Sequence, residues 1–237
     1  MIREAIILAG GLGTRLRSAV PDLPKCMAPV AGHPFLHYLI RYYAHRGIDR
    51  FIFSLGYRHE TIEAFLEQEL AGIPHVSYAT SVEHEPLGTG GAVKKAAALV
   101  HAGSALVLNG DTFFETDPAA VADLLAAKNA DCVLTLKLMK ESERYGVVET
   151  DREQKIVSFR EKQYYARGNI NGGVYALNVP SFLQTPLPEK CSFEKDYLEA
   201  CCAEKQFYGL VQEGYFIDIG IPTDFQQANI DLINFSV

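Results

Sequence analysis

Short apolar runs with the pitch of β-strands alternate, along the first half of the chain, with longer stretches in which apolar residues recur every three or four positions. The runs Ala5 to Leu8, Phe51 to Leu55, Val76 to Ala79, Ala105 to Leu108 and Cys132 to Leu138 predict strands. The stretches Phe35 to Arg46, Thr61 to Leu70, Gly91 to Val100 and Ala119 to Ala127 predict helices. Strands that alternate with helices imply a mainly parallel central sheet, joined by right-handed crossovers and flanked by helices.

After Leu138 the rhythm shortens. Val147 to Thr150, Ile156 to Phe159 and Gly173 to Ala176 predict hairpin-like pieces, a small β insertion against one edge of the sheet. A helix from about Phe193 to Ala203, short strands at Tyr208 to Val211 and Tyr215 to Ile217, and a last helix from Asp224 to Phe235 follow. No repeat or low-complexity linker interrupts the chain, so residues 1–237 are expected to form one α/β domain.

Composition narrows the partners. The chain carries 29 acidic against 22 basic side chains, a formal net charge of -7, with no basic stripe to follow a phosphate backbone, so nucleic acid is not an expected partner. Small phosphorylated ligands remain compatible, since a few placed cations and backbone N–H groups hold them. The five cysteines form no C-x-x-C pair, which predicts reduced structural thiols. No apolar run reaches about 18 residues and no signal-like segment opens the sequence, so the expectation is a cytoplasmic protein with no membrane partner.

The first strand runs into Leu8-Ala9-Gly10-Gly11-Leu12-Gly13-Thr14-Arg15-Leu16. Consecutive glycines let backbone N–H groups approach an anion, which suits a triphosphate cradle. The turn lacks the Lys-Ser/Thr ending of a P-loop and the spacing of the dinucleotide fingerprint. Arg15 offers a fork to phosphates and Lys25, in Pro24-Lys25, a second cation. Further on, Leu106-Val107-Leu108-Asn109-Gly110-Asp111 is an apolar strand ending in an acid, where open α/β sheets bind ligands. Asp111 suits magnesium, and Asp218 in Phe216-Ile217-Asp218 again ends a short apolar strand. Read alone, each acid is equally a turn former.

The glycine-rich string, followed by Pro24-Lys25-Cys26-Met27-Ala28-Pro29-Val30, resembles the signature of the sugar-nucleotide pyrophosphorylase family, with Cys26 where proline is common. The resemblance runs from about Ile2 to Phe225 and implies a Rossmann-like nucleotidyltransferase fold. It implies that Leu8, Ala9, Gly10, Gly11, Gly13 and Thr14 cradle the triphosphate and that Arg15 and Lys25 meet its phosphates. It also assigns Asp111 and Asp218 to Mg2+ and Asn109 to the nucleotide.

Glu85-Pro86-Leu87-Gly88-Thr89-Gly90-Gly91 resembles the family's base-enclosing loop, with Gly88 at the nucleotide. Glu85, or in second place Glu83, would accept the N1–H and N2–H donors of guanine, which favours GTP. Tyr145-Gly146-Val147-Val148, Phe159-Arg160-Glu161-Lys162 and Asn171-Gly172-Gly173 resemble the sugar-phosphate site. There Glu161 and Asn171 would bond hydroxyls, Lys162 would neutralise the phosphate, and Tyr145, Gly146 and Gly172 would border the ring. Gln163 replaces the usual proline after the Glu-Lys pair.

Tyr57-Arg58-His59-Glu60 and the short length look most like heptose 1-phosphate guanylyltransferases, with D-glycero-D-manno-heptose 1-phosphate as the implied acceptor for surface polysaccharide synthesis; mannose 1-phosphate enzymes come next. The resemblance allows a homodimer. Two other readings stay open, a non-catalytic sugar-nucleotide sensor on the same fold and a cytidylyltransferase of a non-sugar phosphate such as phosphocholine.

Overall fold

The computed structural model describes residues 1–11, 16 and 20–235. At its centre four parallel strands, β1 (Glu4–Leu8), β4 (Arg50–Leu55), β5 (Ser77–Val82) and β6 (Ser104–Asn109), lie in the order β5-β4-β1-β6. Helices α1 (Phe35–His45), α2 (His59–Ala71) and α3 (Gly88–Ala97) connect them. Between β1 and α1 the chain forms a 3-10 turn (Lys25–Met27) and the small ribbon of β2 (Pro29–Val30) and β3 (His33–Pro34).

Both faces of β1, β4 and β6 are covered, which is why they read as continuous apolar runs, whereas β5 at the sheet edge is only partly buried. Alternate residues serve opposite cores. Ile7, Phe51, Phe53 and Leu108 pack with α1, with Ile62 and Leu66 of α2, and with Val121 of α4 (Pro118–Ala127). Ile6, Ile52 and Val107 pack with Val93 and Ala96 of α3 and with Phe182 of α5 (Val179–Gln184). The start of α4 shows local cause clearly: Asp117 caps it by accepting from the Ala119 N–H at 2.9 Å, and Pro118 needs no donor partner in the first turn.

The insertion is larger than its sequence signal. Strand β8 (Cys132–Ser142) pairs with β11 (Tyr165–Asn178), a 14-residue strand lying antiparallel to β6, inside the sheet and not merely against its edge. The register of β8 on β11 shifts between Asn171 and Tyr175, where Gly173 takes φ +72°. This bulge is the reason only Gly173 to Ala176 stands out by periodicity. Strands β9 (Val147–Thr150) and β10 (Ile156–Arg160) form a hairpin on the first half of β11, and β12 (Phe207–Val211) runs parallel to β8. Outside the sheet, β7 (Thr112–Phe114) pairs with β13 (Phe216–Asp218), ahead of α6 (Pro222–Asp231). The helix expected over Phe193 to Ala203 is instead a seven-residue π-helical segment, Phe193–Glu199, capped by Ser192. Among the described residues no helix is long and apolar enough to cross a membrane.

Candidate active site

Strand order reverses between β1 and β6, and ligands of open α/β sheets bind in the crevice that such a reversal opens at the carboxyl ends of the strands. Three adjoining cavities of about 610, 330 and 420 Å³ occupy this edge. The first and second share Leu8, Gly11 and Thr89, and the second and third share Glu194, so they form one continuous trough.

Asp111 lines the middle cavity and meets a second carboxylate, Asp218, at Lys25. Gly110 donates to the Leu8 carbonyl at 3.0 Å, and a Cβ there would collide with that same oxygen, so the end of β6 hugs β1 only because residue 110 is glycine. Asp111 follows. The β7–β13 ribbon sets Asp218 opposite Thr112, and Ile219 donates to the Asp111 carbonyl at 3.0 Å. Acids 107 residues apart in the chain (218 − 111) thereby face one cation. The Lys25 ammonium contacts Asp111 Oδ2 and lies 3.5 Å from Asp218 Oδ1. Asp218 also accepts from Gly220 N–H at 2.7 Å and from Arg144 Nη2 at 2.8 Å, while Arg144 Nη1 pairs with Asp224. Gly220 leaves room for the cluster, since a Cβ there would stand 2.9 Å from Lys25 Nζ. Cys26 is buried next to it, and burial together with the Asp111 charge pushes its thiol up to about 12.

Two carboxylate oxygens aimed at one cationic centre are a donor set that a hard divalent ion shares with phosphate oxygens and water. Among the described residues no group of three or more His, Cys, Asp or Glu side chains is arranged to hold a metal by itself. Such an ion would therefore draw its remaining ligands from substrate or solvent.

On the first cavity's rim, Glu83 braces the loop. It accepts from Leu87 N–H at 2.9 Å and from Ser54 Oγ at 3.3 Å. Glu85 is exposed at the same rim. The glycines that follow serve packing: Gly88 has φ +71°, and a Cβ on Gly90 would lie 2.6 Å from Cys191 Sγ. Gly90 donates to the Cys191 carbonyl at 2.9 Å, and Thr89 Oγ1 accepts from Phe193 N–H at 2.9 Å. This loop is thus tied to the segment that opens the π-helical turn.

The third cavity lies under the β9–β10 hairpin. Tyr145 and Gly146 enter β9, and Glu161 and Lys162 leave β10, both exposed to the cavity. Gly146 is needed for the close approach of the two, because a Cβ would stand 2.5 Å from the Arg160 carbonyl oxygen. Tyr165 Oη donates to the Glu161 carbonyl at 3.1 Å and is itself held by Gln163 Nε2 at 3.1 Å, so Gln163 steadies this turn through hydrogen bonds. Asn171 Nδ2 donates to Tyr175 Oη at 2.9 Å and to Glu194 Oε1 at 3.4 Å.

Of the residues singled out from sequence, Leu8, Ala9, Gly10, Gly11, Lys25 and Asp111 line the first two cavities, as do Glu85, Gly88 and Asn109. Tyr145, Gly146, Glu161, Lys162 and Asn171 line the third. Gly172 differs. A Cβ there would fall 2.5 Å from the Phe114 ring, so it closes the interior and not the trough. Gly13, Thr14 and Arg15 lie outside the described residues. Arg144, Glu194 and the brace formed by Glu83 escaped the sequence reading; the only cue was an Arg directly before Tyr145-Gly146.

A family model described as Nucleotidyl transferase matches residues 4–234. The chain is 48% identical to the D-glycero-alpha-D-manno-heptose 1-phosphate guanylyltransferase of Aneurinibacillus thermoaerophilus, over 98% of this chain and 99% of that protein. It is 41% identical to the enzyme of the same name from Campylobacter jejuni, over 94% and 96%. The crystal structure of HddC from Yersinia pseudotuberculosis complexed with GMP-PN matches with a TM-score of 0.85 and 34% identity, covering 98% of this chain and all of that one.

Proposed function

Because the chain belongs to the nucleotidyl transferase family, we propose that it transfers GMP from GTP to D-glycero-α-D-manno-heptose 1-phosphate, releasing pyrophosphate and a guanosine diphosphate sugar. The observation that carries the reading is the convergence of Lys25, Asp111 and Asp218 between two cavities of different character. One cavity is rimmed by Glu83 and Glu85; the other is walled by Glu161, Lys162 and Asn171.

A sugar phosphate is already an anionic nucleophile and needs no general base. The obstacle is charge and alignment, so positioning and neutralisation supply most of the rate. Lys25, between the base and sugar cavities, would meet the α-phosphate, and Lys162, exposed to the third cavity, would hold the incoming phosphate from the other side. Arg15, from the glycine-rich motif, is proposed for the departing pyrophosphate. Asp111 and Asp218 would hold a magnesium ion, which when bound offsets the charge of phosphate oxygens. Arg144 Nη2, 2.8 Å from Asp218 Oδ2, would help to hold that carboxylate oriented for this role.

The base assignment rests on Glu85. Glu83 already spends both oxygens on the loop, whereas Glu85 is open to accept paired N–H donors from guanine. The guanylyltransferase relatives and the GMP-PN complex support the same base. Pyrophosphate release, measured with GTP, CTP, UTP, dTTP and ATP against heptose, mannose and glucose 1-phosphates and phosphocholine, tests the proposal. Fastest turnover with GTP and heptose 1-phosphate is expected. A preference for a pyrimidine triphosphate would remove the role given to Glu85.

A further inference from the structure

The wall of the third cavity contains a segment of unusual geometry. Phe193–Glu199 is π-helical, with the Ala200 N–H reaching back five residues to the Lys195 carbonyl at 3.1 Å. Such turns are rare and recur at functional sites, because they shift which side chains share a face. In an α-helix, at about 100° per residue, positions 194 and 199 would point about 140° apart. The five-residue hydrogen bonding brings them round together. Glu194, Lys195 and Glu199 all line the cavity, while Phe193, Tyr197 and Leu198 stay buried in the core.

The two glutamates take different stations. Glu194 borders both the phosphate-side cavity and the third cavity, and Asn171 Nδ2 reaches its Oε1 at 3.4 Å. Protein surrounds it on most sides although its carboxylate is open to the trough. Its pKa is raised, chiefly by this partial removal from water, with Lys162 opposing and Glu199 and Asp111 adding to the rise. Glu199 borders only the third cavity, exposed and away from Lys25 and Asp111. A sugar 1-phosphate whose phosphate faces Lys25 therefore has its anomeric end at Glu194 and its remote end toward Glu199.

We infer that the π-helical turn is a device for reading the length of the sugar, in which Glu199 accepts hydrogen bonds from the two neighbouring hydroxyls of the two-carbon exocyclic chain of a seven-carbon sugar, where a hexose offers a single hydroxymethyl group. The inference rests on the third cavity being the sugar site. Carboxylates suit this task since they accept from two neighbouring hydroxyls at once.

The test compares kcat/KM for heptose 1-phosphate and mannose 1-phosphate, which differ at the exocyclic end, in Glu199→Gln and Glu199→Ala. Loss of a charged acceptor is expected to lower the heptose value about 10- to 100-fold, mostly through KM, with the mannose value changed less than about 3-fold. Glu194→Gln should lower both sugars together, since its station is common to them. Equal losses for both sugars in the Glu199 variants, or none, with melting temperatures unchanged, would overturn the inference while leaving the reaction intact. Wild-type protein that releases no pyrophosphate with any sugar 1-phosphate would instead overturn the functional reading beneath it.

Discussion

Lys25 and a divalent ion should compete for one position, and Lys25→Met exposes that competition. The ammonium contacts Asp111 and lies 3.5 Å from Asp218, with the Lys25 side chain 11% exposed and the acids 36% and 21%. At an effective dielectric of about 20, a 3.5 Å pair is worth about 5 kcal/mol before desolvation. Partial solvent access and the cost of taking the charges from water reduce the net loss on removing Lys25 to about 2 kcal/mol. For a chain of this size that lowers the melting temperature by about 4–8 °C in EDTA. Magnesium should reverse the order of effects. In the wild type it must displace an ammonium, whereas in Lys25→Met it enters beside Asp111, which has lost its ion-pair partner, and Asp218, which keeps Arg144, so its apparent affinity should rise about 10-fold. At 100 times its dissociation constant a ligand adds about 2.7 kcal/mol, enough to cancel the deficit. Differential scanning fluorimetry across a magnesium titration reads this directly. Equal magnesium-induced shifts in both proteins, or none in the variant, would refute the shared site.

Three further outcomes follow from the geometry. Glu85→Ala should raise KM for GTP about 10-fold with an unchanged melting temperature, whereas Glu83→Ala should also destabilise by about 1–2 kcal/mol because Leu87 N–H and Ser54 Oγ lose their acceptor; steady-state kinetics beside thermal melts separates the two. Gly172→Ala should cost about 1–3 kcal/mol by overpacking against the Phe114 ring and the Thr135 carbonyl, and a denaturant melt with wild-type midpoint would show that the bulge can yield. Stability should decline in alkali. The Cys26 thiol is held neutral in the fold, its pKa raised from the ordinary 9.0 to about 12, so its contribution is whole below about pH 9 and is lost as the pH rises toward 12. A Cys26→Ala variant should show a shallower decline in melting temperature between pH 9 and 11, and an identical slope would contradict it.

The parallel half of the fold was legible because each strand and helix there writes its own local period. Residues Ala5 to Leu8 and Ala105 to Leu108 fall within observed strands, and the glycines and acids at strand ends announced the trough. What was obscure has physical causes. The bulge at Gly172 and Gly173 breaks the alternation of β11, so of a 14-residue strand only the four residues Gly173 to Ala176 stand out. A π-helical turn is invisible to a 3.6-residue period, and Glu194 and Glu199 fall on different faces when the segment is read as α-helix. Arg144 gains its meaning from Asp218 and Asp224, 74 and 80 residues away, partners that only the β7–β13 ribbon brings within reach. In Gly88-Thr89-Gly90-Gly91 the sequence assigns Gly88 to the nucleotide and gives no role to Gly90 and Gly91, which answer to the segment 189–192 packed on α3.

The most direct measurement of the central claim follows the fate of each phosphorus of GTP, supplied with heptose 1-phosphate and magnesium. Nucleotidyl transfer predicts that an α-phosphorus label enters the guanosine diphosphate sugar while β- and γ-labels leave together as pyrophosphate. Release of the γ-label as free phosphate, or binding of GTP with no redistribution of any label, would contradict it.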